Sequence, residues 1–539
     1  MSLDKENKGV SRRTFIRIAA TASGGLALAT SAPATQAAAP TATPTAPAPS
    51  RGGTLRAAII GEPPSMDPHW TTANVNTEVT CHITETLFTL DAKLNNIPLL
   101  ADSMEISTDR LNRTIKLRKG IQFHNGKEMT AEDVVASLTR WAKISGKGKT
   151  MFERVESLTA HDKYTVIFKM KVPYAVFEST LGFWSQGAVI MPKEIVEKAT
   201  EKKQVPTAEL IGTGPYKFVE HLKDRFIRLV RNDKYVTVGD KPDGAGGKRG
   251  LWFDEIRFIP VPDQSVRVAG VQSGDYDYAE GINPDQFALL KDSKTVTTVV
   301  GFPGRCPTHY INKKSAVTQD VKLRQAMMAC IDPEAALKAG WGSPDFYRVS
   351  GALMPKEGPW YSEVATQAFN QKNPDKAKAL LKESNYKGEP IRYMATKEYP
   401  NMYQEAVVLN QNLQAIGLNM KLEVLDWATL VSRRAKPEEW ELFTTWNGYP
   451  TDPALIDWMD PVYPGWWVNP KINALRAKLV ETIEPKARFA VFEDIQRLFY
   501  EEVPLLKLGD VRDLWLTSPK LKEVGTYPCP YFWQAYFTK

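Results

Sequence analysis

The chain has 539 residues, and its 69 Lys+Arg against 62 Asp+Glu give a formal charge of +7 at pH 7. So small a bias, with no basic run, excludes an electrostatic case for nucleic-acid binding. Its length requires more than one core, so two or three globular parts are expected, and its four cysteines are too few for a disulfide framework.

In chain order, the first element is an address. Ser11 to Arg17, "SRRTFIR", places Arg12-Arg13 before the apolar run "IAATASGGLALATSA". That run is too short and too rich in small residues to span a bilayer as a permanent helix. The motif resembles the bacterial twin-arginine export signal, with small residues (Ala37 and Ala39, or Thr35 and Ala37) suited to a signal peptidase. It implies a leader over residues 1–39, the twin-arginine export machinery as a partner, and delivery to the periplasm. No cysteine stands near the cleavage region, so no lipid anchor is expected. The leader carries five basic and two acidic residues, which leaves about +4 for the rest. The Pro/Ala/Thr-rich stretch over 40–51 reads as a stiff, unfolded tether. No later stretch approaches the about eighteen apolar residues of a membrane helix.

Residues 113–123, "RTIKLRKGIQF", and 163–172, "KYTVIFKMKV", alternate as strands, the second with Tyr164, Val166, Phe168 and Met170 on one face. Between them "TAEDVVASLTRWAKI" predicts a helix with Thr130 at its N-cap, Asp133 at N3, and an apolar stripe of Val134, Leu138 and Trp141. The loop 239–250, "GDKPDGAGGKRG", reads as a flexible insertion. It is no phosphate loop, because Arg249 stands where Ser or Thr should follow the lysine. Farther on, Asn373-Pro374 opens a helix, a second amphipathic helix stops at Gly417, and "LNMKLEVLDW" predicts a strand with Met420, Leu422 and Val424 facing one way. A helix running directly into a strand is an α/β unit that covers a sheet.

Residues 99–141 contain "LRKGIQFHNG" (Leu117 to Gly126) and then Thr130-Ala131-Glu132-Asp133-Val134. With "EPPSMDPH" (62–69), "ETLF" (85–88), "GTGPYKF" (212–218), "QSGDYDYAEGI" (272–282) and "VKLRQAMMACID" (321–332) in order, the chain resembles the family 5 extracellular solute-binding proteins. These are the dipeptide, oligopeptide and nickel receptors of ABC importers, and the resemblance runs from Gly52 to the C-terminus. It implies an α/β, two-lobed periplasmic-binding-protein fold of type II. One lobe is expected over 52–302 plus 508–539, with an extra subdomain at about 89–205, and the other over 303–507. Two crossing strands form the hinge. The implied partners are a small solute and a membrane permease that recognises the closed form of a monomer.

The stretch 444–467, "TTWNGYPTDPALIDWMDPVYPGWW", holds four tryptophans, two tyrosines, three aspartates and no basic residue. In peptide-binding members the matching segment begins with a Trp and places, three residues later, an Asp that pairs with the ligand ammonium. Here Trp446 matches the Trp and Tyr449 occupies the Asp position, a departure that argues against tight binding of unmodified dipeptides, since a desolvated ammonium needs a carboxylate. Asp452 is the nearest substitute, although an Asp-Pro turn also accounts for it. All six histidines fall at positions 69–309, so no His-held metal or nickel chelate is expected, and no cofactor. What remains is an aromatic pocket for a peptide-like or opine-like solute or a short oligosaccharide. Candidate ligand contacts are Trp446, Asn447 and Tyr449, Trp427 at the end of its strand, and Arg434 for a ligand carboxylate. On the facing lobe they are Phe183 and Trp184 in "LGFWSQG" and Glu62 after the first strand. Trp458, Trp466 and Trp467 read as packing.

An enzyme is not expected, because no G-x-S-x-G elbow, H-E-x-x-H pair or Walker A loop occurs. A broad-specificity peptide-binding, chaperone-like or sensory receptor is the alternative class.

Overall fold

The computed structural model describes residues 49–539, apart from 201 and 528 and the side chain of 428. The twin-arginine leader and the linker up to residue 48 lie outside the described residues. The end of the linker is not free: Pro49–Ser50 pairs antiparallel with Tyr536–Thr538 near the C-terminus.

Two large sheets organise the chain. The first has seven strands in the order Thr297–Val300, Leu514–Thr517, Tyr278–Ile282, Thr54–Ile59, Glu255–Pro260, Phe226–Arg231 and Tyr216–Leu222. Thr54–Ile59 lies at its centre, parallel to both neighbours, and Leu55, Ala57, Ala58 and Ile59 are all buried. A strand covered on both faces reads as an unbroken apolar run.

The second sheet runs Tyr347–Val349, Gly509–Val511, Arg305–Ile311, Leu442–Gly448, Ile391–Thr396 and Met420–Leu425, and Leu505–Lys507 also pairs with Arg305–Ile311. The chain therefore crosses between the sheets twice, at 301–304 and at 512–513. The return falls a few residues beyond 508, because Gly509–Val511 still pairs with Tyr347–Val349 in the second sheet. A separate four-stranded antiparallel sheet, Ala101–Ile106, Asn112–Leu117, Thr165–Met170 and Val155–Asp162, builds a smaller body with its own core.

Local signals map onto these elements. Helix Ala131–Ile144 starts where the Asp133 carboxylate accepts from the Thr130 backbone N–H at 2.9 Å and from its hydroxyl at 2.8 Å, and it buries Val134, Leu138 and Trp141. Val166, Phe168 and Met170 are buried on one strand face, whereas Tyr164 is only half-buried. Helix Pro400–Ala415 passes into strand Met420–Leu425 through Gly417 at φ +99°, a left-handed conformation that glycine adopts without a Cβ clash.

Two expectations change. Met420, Leu422 and Val424 alternate on the strand Met420–Leu425 as expected, but it is the edge strand, and burial along that face fades until Val424 is exposed. The loop 239–250 is not a loose insertion. It folds into the hairpin Pro242–Asp243 and Gly246–Gly247, and Arg249 at its end pairs with Glu85 at 2.7 Å in the interior. No described helix is long and apolar enough to cross a membrane.

Candidate functional site

The sheets meet where strand Leu442–Gly448 ends beside the crossings. There the second sheet contributes a cluster of rings. Tyr399, just before helix Pro400–Ala415, has its ring 4.9 Å from that of Trp446 and 5.1 Å from that of Trp427, and the two indoles are 6.4 Å apart. All three are half-buried. The Arg305 guanidinium lies 4.9 Å over the Trp446 ring and pairs with Asp513 at 3.0 Å, so one cation joins the aromatic cluster to the return crossing.

The first sheet faces these rings with acids. Glu78, on helix Asn74–Thr80, and Glu280, on strand Tyr278–Ile282, are each 4% exposed. Burial, then the Glu280 charge, pushes the Glu78 carboxyl well above the usual carboxylate range. Glu280 accepts from the Ile60 backbone N–H at 2.7 Å. Burial, followed by the charges of Glu280 and Glu78, raises the Tyr399 phenol.

Alongside helix Asn74–Thr80 lies a small cavity of about 40 Å³, lined among others by Thr77, Thr80, Cys81, Trp184, Arg249 and Trp533. Burial, then Cys81, raises the Cys529 thiol. All four cysteines are free thiols.

The residues singled out from sequence are distributed unevenly. Trp446 and Trp427 belong to the ring cluster, and Trp184 lines the cavity. Phe183 lies under the Lys147 ammonium, 4.4 Å away, and Lys147 reaches Asp457 at 3.1 Å. The others spend their polar groups inside the protein. Asn447 accepts from the hydroxyls of Thr308 (2.7 Å) and Tyr310 (3.0 Å) and donates to Asp457 (2.9 Å). It points to the opposite face of the strand from Trp446. The Tyr449 hydroxyl donates to Asp510 at 2.5 Å. A carboxylate does stand beside position 449, but Lys507 (3.1 Å) and Arg348 (2.6 Å) also hold it, and against the effect of burial these partners keep Asp510 below its ordinary range.

Asp452 forms a forked pair with Arg488 at 2.6 and 2.8 Å and caps the turn at Ala454, which is the role its Asp-Pro setting suggests. Arg434 bonds the Tyr463 hydroxyl at 3.3 Å and stacks beside its ring. Glu62 pairs with His221 and accepts from the Asp224 backbone N–H at 3.2 Å. Among the described residues no group of three His, Cys, Asp or Glu side chains converges in a metal-holding arrangement.

Sequence reasoning passed over Glu78, Glu280, Arg305 and Tyr399. One signal for Glu280 was available: within "DYDYAEGI" it alternates with Tyr278 on a strand otherwise fit for burial, where an acid needs a reason. Glu78 and Tyr399 had none, since only folding brings them to that strand.

The family model described as bacterial extracellular solute-binding proteins, family 5 middle, matches residues 95–461. A probable peptide ABC transporter periplasmic-binding protein of Sinorhizobium fredii is 29% identical over 461 residues, covering 82% of this chain and 86% of that protein. Among solved structures, the periplasmic binding protein DppA of Helicobacter pylori, in complex with the peptide STSA, superposes with a TM-score of 0.80 at 22% identity, over 91% of this chain and 99% of that one. The binding protein AgaA of A. tumefaciens R10, in complex with agropinic acid, gives 0.77 at 23% identity, over 89% and 96%. These likenesses show the two-lobed fold of periplasmic binding proteins, with one large sheet in each lobe.

Proposed function

Because the chain belongs to the family 5 bacterial extracellular solute-binding proteins, we propose that it closes two lobes on a small organic solute and presents the closed form to the permease of an ABC importer. The first lobe takes residues 52–302 and the return from 512, with the four-stranded body as its extra subdomain, and the second takes the residues between. The carrying observation is the cluster of half-buried Tyr399, Trp427 and Trp446 rings, which Arg305 joins to Asp513 at the return crossing. Half-buried rings at the place where the chain crosses between two separately built sheets suit a guest held between them.

The solute is peptide-like or opine-like. The names of the S. fredii and H. pylori relatives and the agropinic acid complex of AgaA support this, and buried carboxyls fit a nitrogen-bearing guest better than a neutral sugar. Twin-arginine export to the periplasm and a monomeric state complete the reading.

The test is to purify the exported protein, denature it, and identify by mass spectrometry whatever is released, then to titrate that compound by calorimetry. A single dominant solute with saturable binding is expected. Weak binding to many peptides with no dominant solute would replace importer capture with a broad-specificity receptor.

A further inference from the structure

One carboxylate of the second lobe is shared between the lobes. Asp457 accepts from Asn447 Nδ2 at 2.9 Å through one oxygen and from the Lys147 ammonium at 3.1 Å through the other. Asn447 stands next to Trp446 on strand Leu442–Gly448, whereas Lys147 belongs to the four-stranded body, at the start of helix Gly146–Phe152. An exposed ion pair holds little by itself. This one is set into the surface, because the Lys147 side chain is 15% exposed and its ammonium also lies 4.4 Å from the centre of the Phe183 ring. The Asn447 amide oxygen is taken by the hydroxyls of Thr308 and Tyr310, which fixes its NH2 toward Asp457. A displacement of Asp457 is therefore passed to the end of the strand.

A second observation, independent of the first, marks the same contact. A Cβ added at Gly146 would overlap Asp460 Oδ2 and come within 3.6 Å of a Val462 methyl. Asp460 is not free to swing aside, since its other oxygen accepts from the Val462 backbone N–H at 3.0 Å. Farther along the seam, the Ala175 backbone N–H donates to the Val480 oxygen at 2.7 Å. Val480, on helix Pro470–Glu481, is buried in the core of the four-stranded body.

We propose that Gly146 and Lys147 form a clasp that seats on the turn 457–462 when the lobes close, and that Asp457 is a positioning residue which passes the state of the clasp through Asn447 to Trp446. The proposal rests on the solute-capture reading above and assigns the contact through which lobe closure sets the ring cluster. It also gives the acidic half of the segment 444–467 a purpose. Asp452 is spent on Arg488, and Asp457 and Asp460 face the other lobe. The absent side chain at Gly146 lets the backbone of the four-stranded body approach Asp460, and Lys147 then reaches Asp457 beside it.

The test uses the full exported chain labelled with 5-fluorotryptophan, with the Trp446 fluorine line assigned by its loss in Trp446→Phe, and small-angle X-ray scattering on the same samples. Neither readout needs a solute. Gly146→Ala adds a methyl and removes no polar group, and Lys147→Met removes the ammonium while keeping most of the side chain. Both are expected to raise the radius of gyration and to shift the Trp446 line by more than its width, in the same direction. Asp457→Ala, which cuts both bonds, should shift that line furthest. Gly358→Ala is the control, because the nearest atom to a new Cβ there is 3.6 Å away, and it should move neither readout. Circular dichroism checks that each variant folds, and Lys147→Met carries the test if Gly146→Ala does not. An unchanged radius in the folded variants would overturn the clasp. A larger radius with a stationary Trp446 line would overturn the positioning role of Asp457. Both results would leave solute capture standing, since mass spectrometry of the released compound decides that reading.

Discussion

At the scale of single residues, burial and partner decide what a side chain does. Trp446 is half-buried near the end of strand Leu442–Gly448, with Arg305, Tyr399 and Trp427 around its ring. Trp446→Ala is expected to weaken solute binding at least tenfold, read by calorimetry, while the melting temperature stays within a few degrees. Asn447 and Tyr449 flank it but are structural in their bonding, and the type and spacing of these residues do not distinguish the three. Strand alternation sends neighbours to opposite faces, and which face meets the other lobe depends on distant chain.

Glu405 gives a stability test at the same scale. It is 1% exposed, accepts from Trp341 Nε1 at 2.6 Å, and burial pushes its carboxyl up from the ordinary 4.5 to about 8. Between those values the unfolded chain has lost this proton and the folded chain still holds it, so stability from this group falls as pH rises from 4.5 to 8 and is flat outside that window. Glu405→Gln keeps an acceptor for Trp341 and carries no proton to lose. Denaturant titrations at pH 5 and pH 8 are expected to show the variant gaining on the parent at the higher pH, by a few kcal/mol at most.

At the scale of elements, the helices were the most legible part. The capping residues of Ala131–Ile144 and the Asn-Pro start at 373–374 act locally, and a local rule can be read from adjacent residues. The Asp133 carboxylate serves more than its own helix, since it also accepts from the Lys193 backbone N–H (2.9 Å) and from the Lys127 ammonium (2.8 Å). Asp133→Ala should therefore cost about 2 kcal/mol, more than a cap alone, in urea unfolding monitored by circular dichroism. Elements whose character depends on position in a sheet were less legible. The pattern of Met420–Leu425 gives a strand with one apolar face but not its place at the sheet edge, where Val424 is exposed. The hairpin at 242–247 escaped notice because the partner of Arg249, Glu85, is remote in sequence.

At the scale of the whole molecule, contacts that bridge the lobes govern closure. Lys147 of the extra subdomain reaches Asp457 at 3.1 Å, the Ala175 backbone N–H donates to the Val480 oxygen at 2.7 Å, and the Tyr527 hydroxyl donates to the Tyr449 carbonyl at 2.7 Å. These polar contacts add to the two short crossings and to apolar contacts such as Phe287 against Phe346, whose ring centroids are 5.1 Å apart. Lys147→Ala is expected to shift the unliganded protein toward a more open form, seen as a larger radius of gyration by small-angle X-ray scattering, and to weaken binding several-fold without touching the solute. An unchanged radius and affinity would show that this ion pair does not bias closure.

The sequence by itself determined the family, the order of the elements and the presence of an aromatic segment, because motifs, caps and periodicity are written in neighbouring residues. Only the tertiary structure decided what that segment faces. Glu78, Glu280, Arg305, Tyr399 and Trp446 come from five separate elements, and the raised carboxyl of Glu78 follows from its burial and from the charge of Glu280. Proximity and desolvation arise only when the chain has closed over them, so no stretch of residues carries them alone.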